Sequence, residues 1–338
     1  MKTLIVAPSW IGDTILAQPL FARLHARHPG LILDAFAPAW AAPVLTRMGE
    51  IRRVIPNPFT HGEFNLMGRW RAGRALAREA YDAAIVLPNS WKSALPPFFA
   101  RIPQRIGFAG EARRGLLNRI RRLDAQALPQ LAQRYALLAE EADVTTPPPL
   151  AAPHLRVDDD GVRATLAALG LAAASAPVVF CPGAEYGPAK RWSAAHFAKL
   201  AALIGRPPAP DFPIWIVGSA KDAPIGAEIE RLSGGAARNL CGRTDLGQAI
   251  DLLSRARAVV SNDSGLMHVA AALDRPLVAL YGSSSAVYTP PLSPRARLVS
   301  LGLACSPCFK RECPLGHFKC LNDLTPERVL GEMSAFSI

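Results

Sequence analysis

Aromatic side chains, acidic side chains and long apolar runs are all scarce in this 338-residue sequence. Aromatics make up only 7% of it, and no stacking-aromatic pattern accompanies its arginines, which speaks against a protein that reads single-stranded nucleic acid. Asp and Glu total 27 against 38 Lys and Arg, leaving a formal charge of +11. That balance favours an anionic partner: nucleic acid, an acidic membrane surface or a phosphorylated substrate. No apolar run reaches the length a spanning helix needs, so none is predicted. The opening MKTLIVAPSWIGD is too short in its apolar part for a secretion signal and reads as a first strand. A cytoplasmic protein is expected, with its six cysteines reduced or metal-bound rather than disulfide-linked.

Half of the residues are hydrophobic, which excludes a disordered chain, and the length suffices for two domains with separate cores. Short apolar strands alternate with helical stretches in both halves. In the first, strands are predicted at Thr3–Ala7, Leu31–Ala37, Val54–Ile55, Ala83–Leu87 and Arg105–Phe108. In the second they are predicted at Pro177–Cys181, Pro213–Val217, Ala258–Ser261 and Pro276–Tyr281. This alternation predicts parallel α/β domains. Pro19 predicts a short first turn, a kink and a continuing helix to Arg27. The run TTPPPLAAP at 145–153 reads as a stiff spacer and places the boundary at residue 150. A last helix is expected from Thr325 to Met333, opened by Thr-Pro-Glu.

The stretch Ala258–Ser285 organises the rest: a strand, a polar turn, a helix and another strand. Ser261, Asn262, Asp263 and Ser264 stand where strand passes into helix, and each can cap the helix's free N–H groups. Gly265 allows close backbone approach, and His268 lies one turn further on. A helix start with small polar residues at the carboxyl end of a parallel strand suits a phosphate. An ordinary capped helix explains the same residues, as an inward-turned core histidine explains His268. Lys190 follows a Gly- and Pro-rich loop of the kind that brings N–H groups to an anion, and an exposed lysine accounts for it equally. Asp13 is either a carboxylate for proton transfer or a plain N-cap.

Arginines gather at Arg69, Arg71, Arg74 and Arg78 and again between Arg101 and Arg122. They read either as a solvated face or as a basic apron over an anionic membrane. Cys305-x2-Cys308-x4-Cys313-x6-Cys320 leaves three readings open: a zinc or iron–sulfur site, reduced structural thiols or a disulfide.

The run NDSGLMHVAA, Asn262 to Ala271, resembles the D-[ST]-G-x-x-H-x-[AT]-[AS] signature of the ADP-heptose–lipopolysaccharide heptosyltransferases. Three more stretches are similar: Ser9–Asp13, Pro182–Trp192 and Cys305–Cys320. The last two look more like heptosyltransferase II than heptosyltransferase I. The matches run from residue 9 to residue 320, so the resemblance covers nearly the whole chain. It implies two Rossmann-like domains facing a cleft, the GT-B type. Residues 1–150 would take the acceptor and 151–324 ADP-heptose, with 325–338 a helix packing back towards the first domain.

The implied reaction is inverting transfer of L-glycero-D-manno-heptose from ADP-heptose to the first heptose of the lipopolysaccharide inner core. The resemblance makes Asp13 the base and sets Lys190 on the leaving diphosphate. Gly183, Glu185, Asp222, Asp263, Ser264, Gly265 and His268 would surround the donor, with Asp222 the best candidate for the ribose. Ser9, Trp10 and Gly12 would meet the acceptor. No cofactor is implied beyond the donor substrate, and the partners would be a phosphorylated lipid-linked oligosaccharide and an anionic membrane, on the cytoplasmic face of the inner membrane. Nucleic acid is not an expected partner. Rival readings are heptosyltransferase I acting on Kdo, a nucleotide-sugar epimerase, and a basic cysteine-clustered nucleic-acid binder.

Overall fold

A computed structural model describes residues 1–60, 62–147, 149–172, 176–205 and 212–336. Pro148 of the expected spacer and residues 337–338 of the expected terminal segment lie outside the described residues. The chain forms two compact units, Met1–Pro153 and His154–Ile338.

The first unit holds β1 (Lys2–Val6), β2 (Ile32–Ala37), β3 (Arg53–Pro56), β4 (Ala83–Val86), β5 (Gln104–Phe108) and β6 (Arg119–Arg121). They pair in parallel in the order β3-β2-β1-β4-β5-β6. The second holds β7 (Val178–Cys181), β8 (Ile214–Ile216), β9 (Ala237–Asn239), β10 (Ala258–Asn262), β11 (Leu277–Leu280) and β12 (Ala296–Val299). Its order, β12-β11-β10-β7-β8-β9, repeats the same doubly wound topology. Each sheet therefore reverses its winding once, between β1 and β4 and between β7 and β10. Ligands of such sheets bind outside the carboxyl ends of the strands at that reversal.

Strands covered on both faces need apolar residues in succession, and β1, β4, β7, β10 and β11 supply them. In the first unit Leu4, Val6, Phe36, Ala84 and Val86 pack with Leu76, Tyr81 and Ile102. In the second, Val178, Phe180, Ile216, Val260 and Val278 pack with Trp192, Phe197 and Leu200. The last helix, Pro326–Met333, adds Val329 and Met333 to that second core, and Thr325 caps it by accepting from the Arg328 N–H.

Three strands are absent from the sequence reading: β6, β9 and β12. Each is a sheet edge of three or four residues containing an arginine and exposed along part of its length. Such segments lack the apolar run that marks a buried strand. The break expected at Pro19 is present, with helices Ile11–Leu16 and Gln18–Arg27 meeting at Ala17.

Candidate active site

At the reversal of the second sheet, β7 runs out into Pro182 and Gly183 while β10 runs out into Asp263 and Ser264. Asn262, fully buried at the end of β10, ties the two exits together. Its side-chain amide donates to the Pro182 carbonyl at 2.7 Å and accepts from the Trp192 N–H at 3.0 Å. Trp192 is itself fully buried, its indole N–H donating to the Leu324 carbonyl at 2.8 Å. The segment between these anchors carries Lys190. Its Nζ donates to Asp263 Oδ2 at 2.6 Å, with the two side chains 18% and 5% exposed. Lys190 is thus no solvated lysine but one half of a largely buried ion pair, beside the ring of Tyr186.

The helix Gly265–Ala272 begins at this pair. Ser264 is its N-cap residue in extended conformation, yet its side chain makes no cap hydrogen bond. Ser261 donates to the Asn262 carbonyl at 2.7 Å, and Asn262 is engaged as described. The capping expected of Ser261, Asn262 and Ser264 is therefore not what these side chains do. A short helix whose N-cap residue leaves the first-turn N–H groups to other partners presents partial positive charge. His268, one turn in, is 4% exposed, and its Nδ1 is buried without a partner. Burial pushes its pKa down to about 4; nearby Asp263 opposes the shift and Lys190 adds to it. The imidazole is neutral at pH 7 and available as a hydrogen-bond donor or acceptor.

Gly183 lies so close to Asp222 that a Cβ there would meet the carboxylate at 2.5 Å. Asp222, nine-tenths buried, accepts from the Ser219 N–H at 2.9 Å and the Ser219 hydroxyl at 2.7 Å, closing the turn after β8. Glu185 is exposed and pairs with Lys221 at 2.5 Å.

In the first unit, β1 runs through Ser9 and Trp10 into the helix Ile11–Leu16. Trp10, 46% exposed, is the N-cap residue, so Asp13 sits in the first helical turn and is not the cap. Asp13 and Gly12 are half-buried and Ser9 is exposed, its carbonyl accepting from the Trp40 indole at 2.9 Å.

The cysteine loop braces the Lys190 segment, a link that sequence reasoning missed. Tyr186 donates its hydroxyl to the Phe309 carbonyl at 2.8 Å, and the Ala189 N–H donates to the Arg311 carbonyl at 3.0 Å. At Gly187 a Cβ would stand 2.5 Å from that same Arg311 carbonyl, so only glycine fits. Cys305, Cys308, Cys313 and Cys320 line a small cavity with Ala189 and Ser283, and all are free thiols. Among the described residues no group of three or more His, Cys, Asp or Glu is placed to hold a metal ion. Asn262, which the sequence presents as a cap, and Trp192, which it does not mark, together hold the two strand exits in place.

The basic apron needs correction in part. Arg69 and Arg113 are buried, 6% and 2% exposed, and donate to backbone carbonyls and, from Arg113, the Asn89 side chain. Arg105 likewise spends its donors on the carbonyls of Leu116 and Ile102. A guanidinium carries five donors, enough to tie off loop carbonyls from the inside. Arg71, Arg74 and Arg78 are exposed.

The chain is thus two parallel doubly wound α/β units, the arrangement of a GT-B-like fold. Residues 69–319 match the family described as Glycosyltransferase family 9 (heptosyltransferase), and the chain belongs to that family. It is 45% identical to Lipopolysaccharide heptosyltransferase 2 of Escherichia coli K12, over 99% of this chain and 98% of that one. It is also 45% identical to Lipooligosaccharide heptosyltransferase 2 of Haemophilus ducreyi, over 99% of both. The solved structure of E. coli ADP-heptose lps heptosyltransferase II superposes with a TM-score of 0.87 at 43% identity, covering 99% and 98% of the two chains.

Proposed function

We propose that this enzyme transfers heptose from ADP-heptose to the first heptose of a lipopolysaccharide inner core, with inversion at the anomeric carbon. The observation that carries the reading is the Lys190–Asp263 pair at the uncapped start of the helix Gly265–Ala272. A lysine and a helix dipole converging on one point suit the two phosphates of a departing ADP. The names of the E. coli and H. ducreyi relatives support the acceptor class.

In this reading Asp13 takes the proton of the acceptor hydroxyl as its oxygen bonds to the anomeric carbon. The bond from that carbon to the β-phosphate oxygen breaks, and its electrons leave with ADP. Lys190, the N–H groups at Ser264 and Gly265, and neutral His268 receive the charge, while Gly183, Glu185 and Asp222 border the nucleoside. Ser9, Trp10 and Gly12 line the acceptor side. These residues supply the charge stabilisation, so no resident cofactor is required. Such an enzyme works at the cytoplasmic face of the inner membrane, where its lipid-linked acceptor lies. Among the described residues no helix is long and apolar enough to cross a membrane.

The test is incubation with ADP-heptose and defined inner-core acceptors, in buffer containing a chelator, read by mass spectrometry. One heptose should be added to the heptose-bearing acceptor and none to the Kdo-terminated one. Addition to Kdo instead would make it a heptosyltransferase I. Free sugar released without acceptor would favour an epimerase.

A further inference from the structure

The helix Leu66–Ala77 is amphipathic in an unusual sense. Its inward face carries Arg69, Gly73 and Leu76, all buried, with Gly73 so close to the helix Trp91–Phe99 that a Cβ would stand 2.5 Å from that of Phe99. Its outward face is apolar and basic together. Met67 is 58% exposed, Trp70 46% and Leu66 47%, and just before the helix Phe64 is 50% exposed, its ring 5.1 Å from that of Trp91. Arg71, Arg74 and Arg78 follow Met67 at helical spacing and are exposed. The helix contains no acidic residue. The two acids that flank it are engaged elsewhere: Glu63 accepts from Thr60 and Asn65, and Glu79 from Lys2, with Arg53 paired to it as well. Four large apolar side chains within seven residues form a patch, not the scattered exposure normal for a surface.

We propose that this face, Phe64 to Arg78, seats the protein on an anionic phospholipid bilayer. Phe64, Leu66, Met67 and Trp70 enter the boundary between headgroups and acyl chains, and Arg71, Arg74 and Arg78 meet lipid phosphates. A helix that pairs bulky apolar residues with arginines and lacks acids has the composition of one lying in the interface plane. A second copy of the chain fits this face poorly, because the face offers three exposed arginines and the helix has no acid to pair with them. The inference deepens the membrane-facing part of the proposed function but does not depend on the sugar chemistry.

The experiment is co-sedimentation of the full chain with sucrose-loaded phosphatidylcholine vesicles, with and without phosphatidylglycerol. Wild type should sediment with the anionic vesicles and far less with the neutral ones. Met67→Ser with Trp70→Ser should lower partitioning about tenfold or more. Arg71→Glu with Arg74→Glu should abolish the dependence on phosphatidylglycerol. Thermal midpoint and transfer to a soluble, delipidated acceptor should stay at wild-type levels in both variants, which separates loss of docking from loss of fold or catalysis. Equal sedimentation of wild type with both vesicle types, or an apolar double variant that binds like wild type, overturns the proposal. So does a wild-type dimer by light scattering that the Met67/Trp70 variant dissociates, since that assigns the face to a second copy.

Discussion

The two sheets have one topology and two different finishes at the point where their winding reverses. At the end of β7 and β10 the polar groups are buried and engaged with one another: Lys190 with Asp263, Asn262 with Pro182 and Trp192. At the end of β1 the chain leaves the sheet through an exposed serine and tryptophan, although the helix that follows lacks a side-chain cap just as Gly265–Ala272 does. A small charged leaving group is best stabilised by dipoles already fixed before it arrives, because reorienting them during reaction costs energy. A bulky lipid-linked acceptor needs an open approach instead. Under the proposed function, one fold would serve a prearranged donor half and an accessible acceptor half, the difference lying in the residues that follow each strand.

The contrast would break first at Asp13. If the open end supplies the base, Asp13→Asn should lower kcat at least about 100-fold. The substitution keeps the size of the side chain, and Trp10, not Asp13, holds the N-cap position. ADP affinity by calorimetry and the thermal midpoint should therefore stay near wild type. Turnover within a few-fold of wild type would place the base elsewhere. Loss of stability together with ADP affinity would make Asp13 a structural residue.

The prearranged end is tested at Lys190. Lys190→Ala removes one charge-assisted contact to the diphosphate, worth about 1.5–3 kcal/mol of ADP affinity. It also strands the carboxylate of Asp263, 5% exposed, without its cation, so the thermal midpoint should fall as well. Adding Asp263→Asn should restore the midpoint while ADP affinity stays low. A single variant that binds ADP like wild type would remove Lys190 from the donor site.

Much of this was legible in the sequence, for reasons that differ residue by residue. Buried parallel strands such as Val259–Val260 and Leu277–Leu280 announce themselves because both faces must be apolar. The edge strands β6, β9 and β12 do not, since a half-exposed strand of three or four residues has no distinguishing pattern. Gly183 and Lys190 stood out by residue type, but sequence could not show that one abuts Asp222 and the other is ion-paired inside the protein. Asn262 was visible as a polar residue and misread as a cap. What it bonds is decided by Trp192, seventy positions away, a contact that only the sheet creates. The arginines failed in the opposite direction, because composition counts a guanidinium the same way whether it faces solvent or, like Arg113, ties carbonyls under the sheet.

The last contrast separates the two units by their response to acid. In the first unit the buried carboxylate of Asp34 accepts from Arg52, Arg53 and Tyr81. Burial raises its pKa, but the Arg52, Tyr81 and Arg53 hydrogen bonds outweigh that and hold it below the usual value. The stability it contributes is therefore present above the ordinary carboxylate pKa and lost only below it. In the second unit burial pushes His268 down to about 4, against about 6.5 in an unfolded chain. Between those values the unfolded chain binds a proton that the folded one refuses, so the contribution of the neutral ring is complete above pH 6.5 and fades as pH falls towards 4. At pH 5 the loss is about 2 kcal/mol relative to pH 7. His268→Gln, which cannot titrate, should lack that component, so the stability gap between variant and wild type should narrow on acidification from pH 7 to pH 5. An Asp34→Asn variant should keep its gap to wild type nearly constant over the same interval. A wild-type unfolding curve that responds to acid equally with and without His268 would show that the imidazole is not held neutral at the start of that helix.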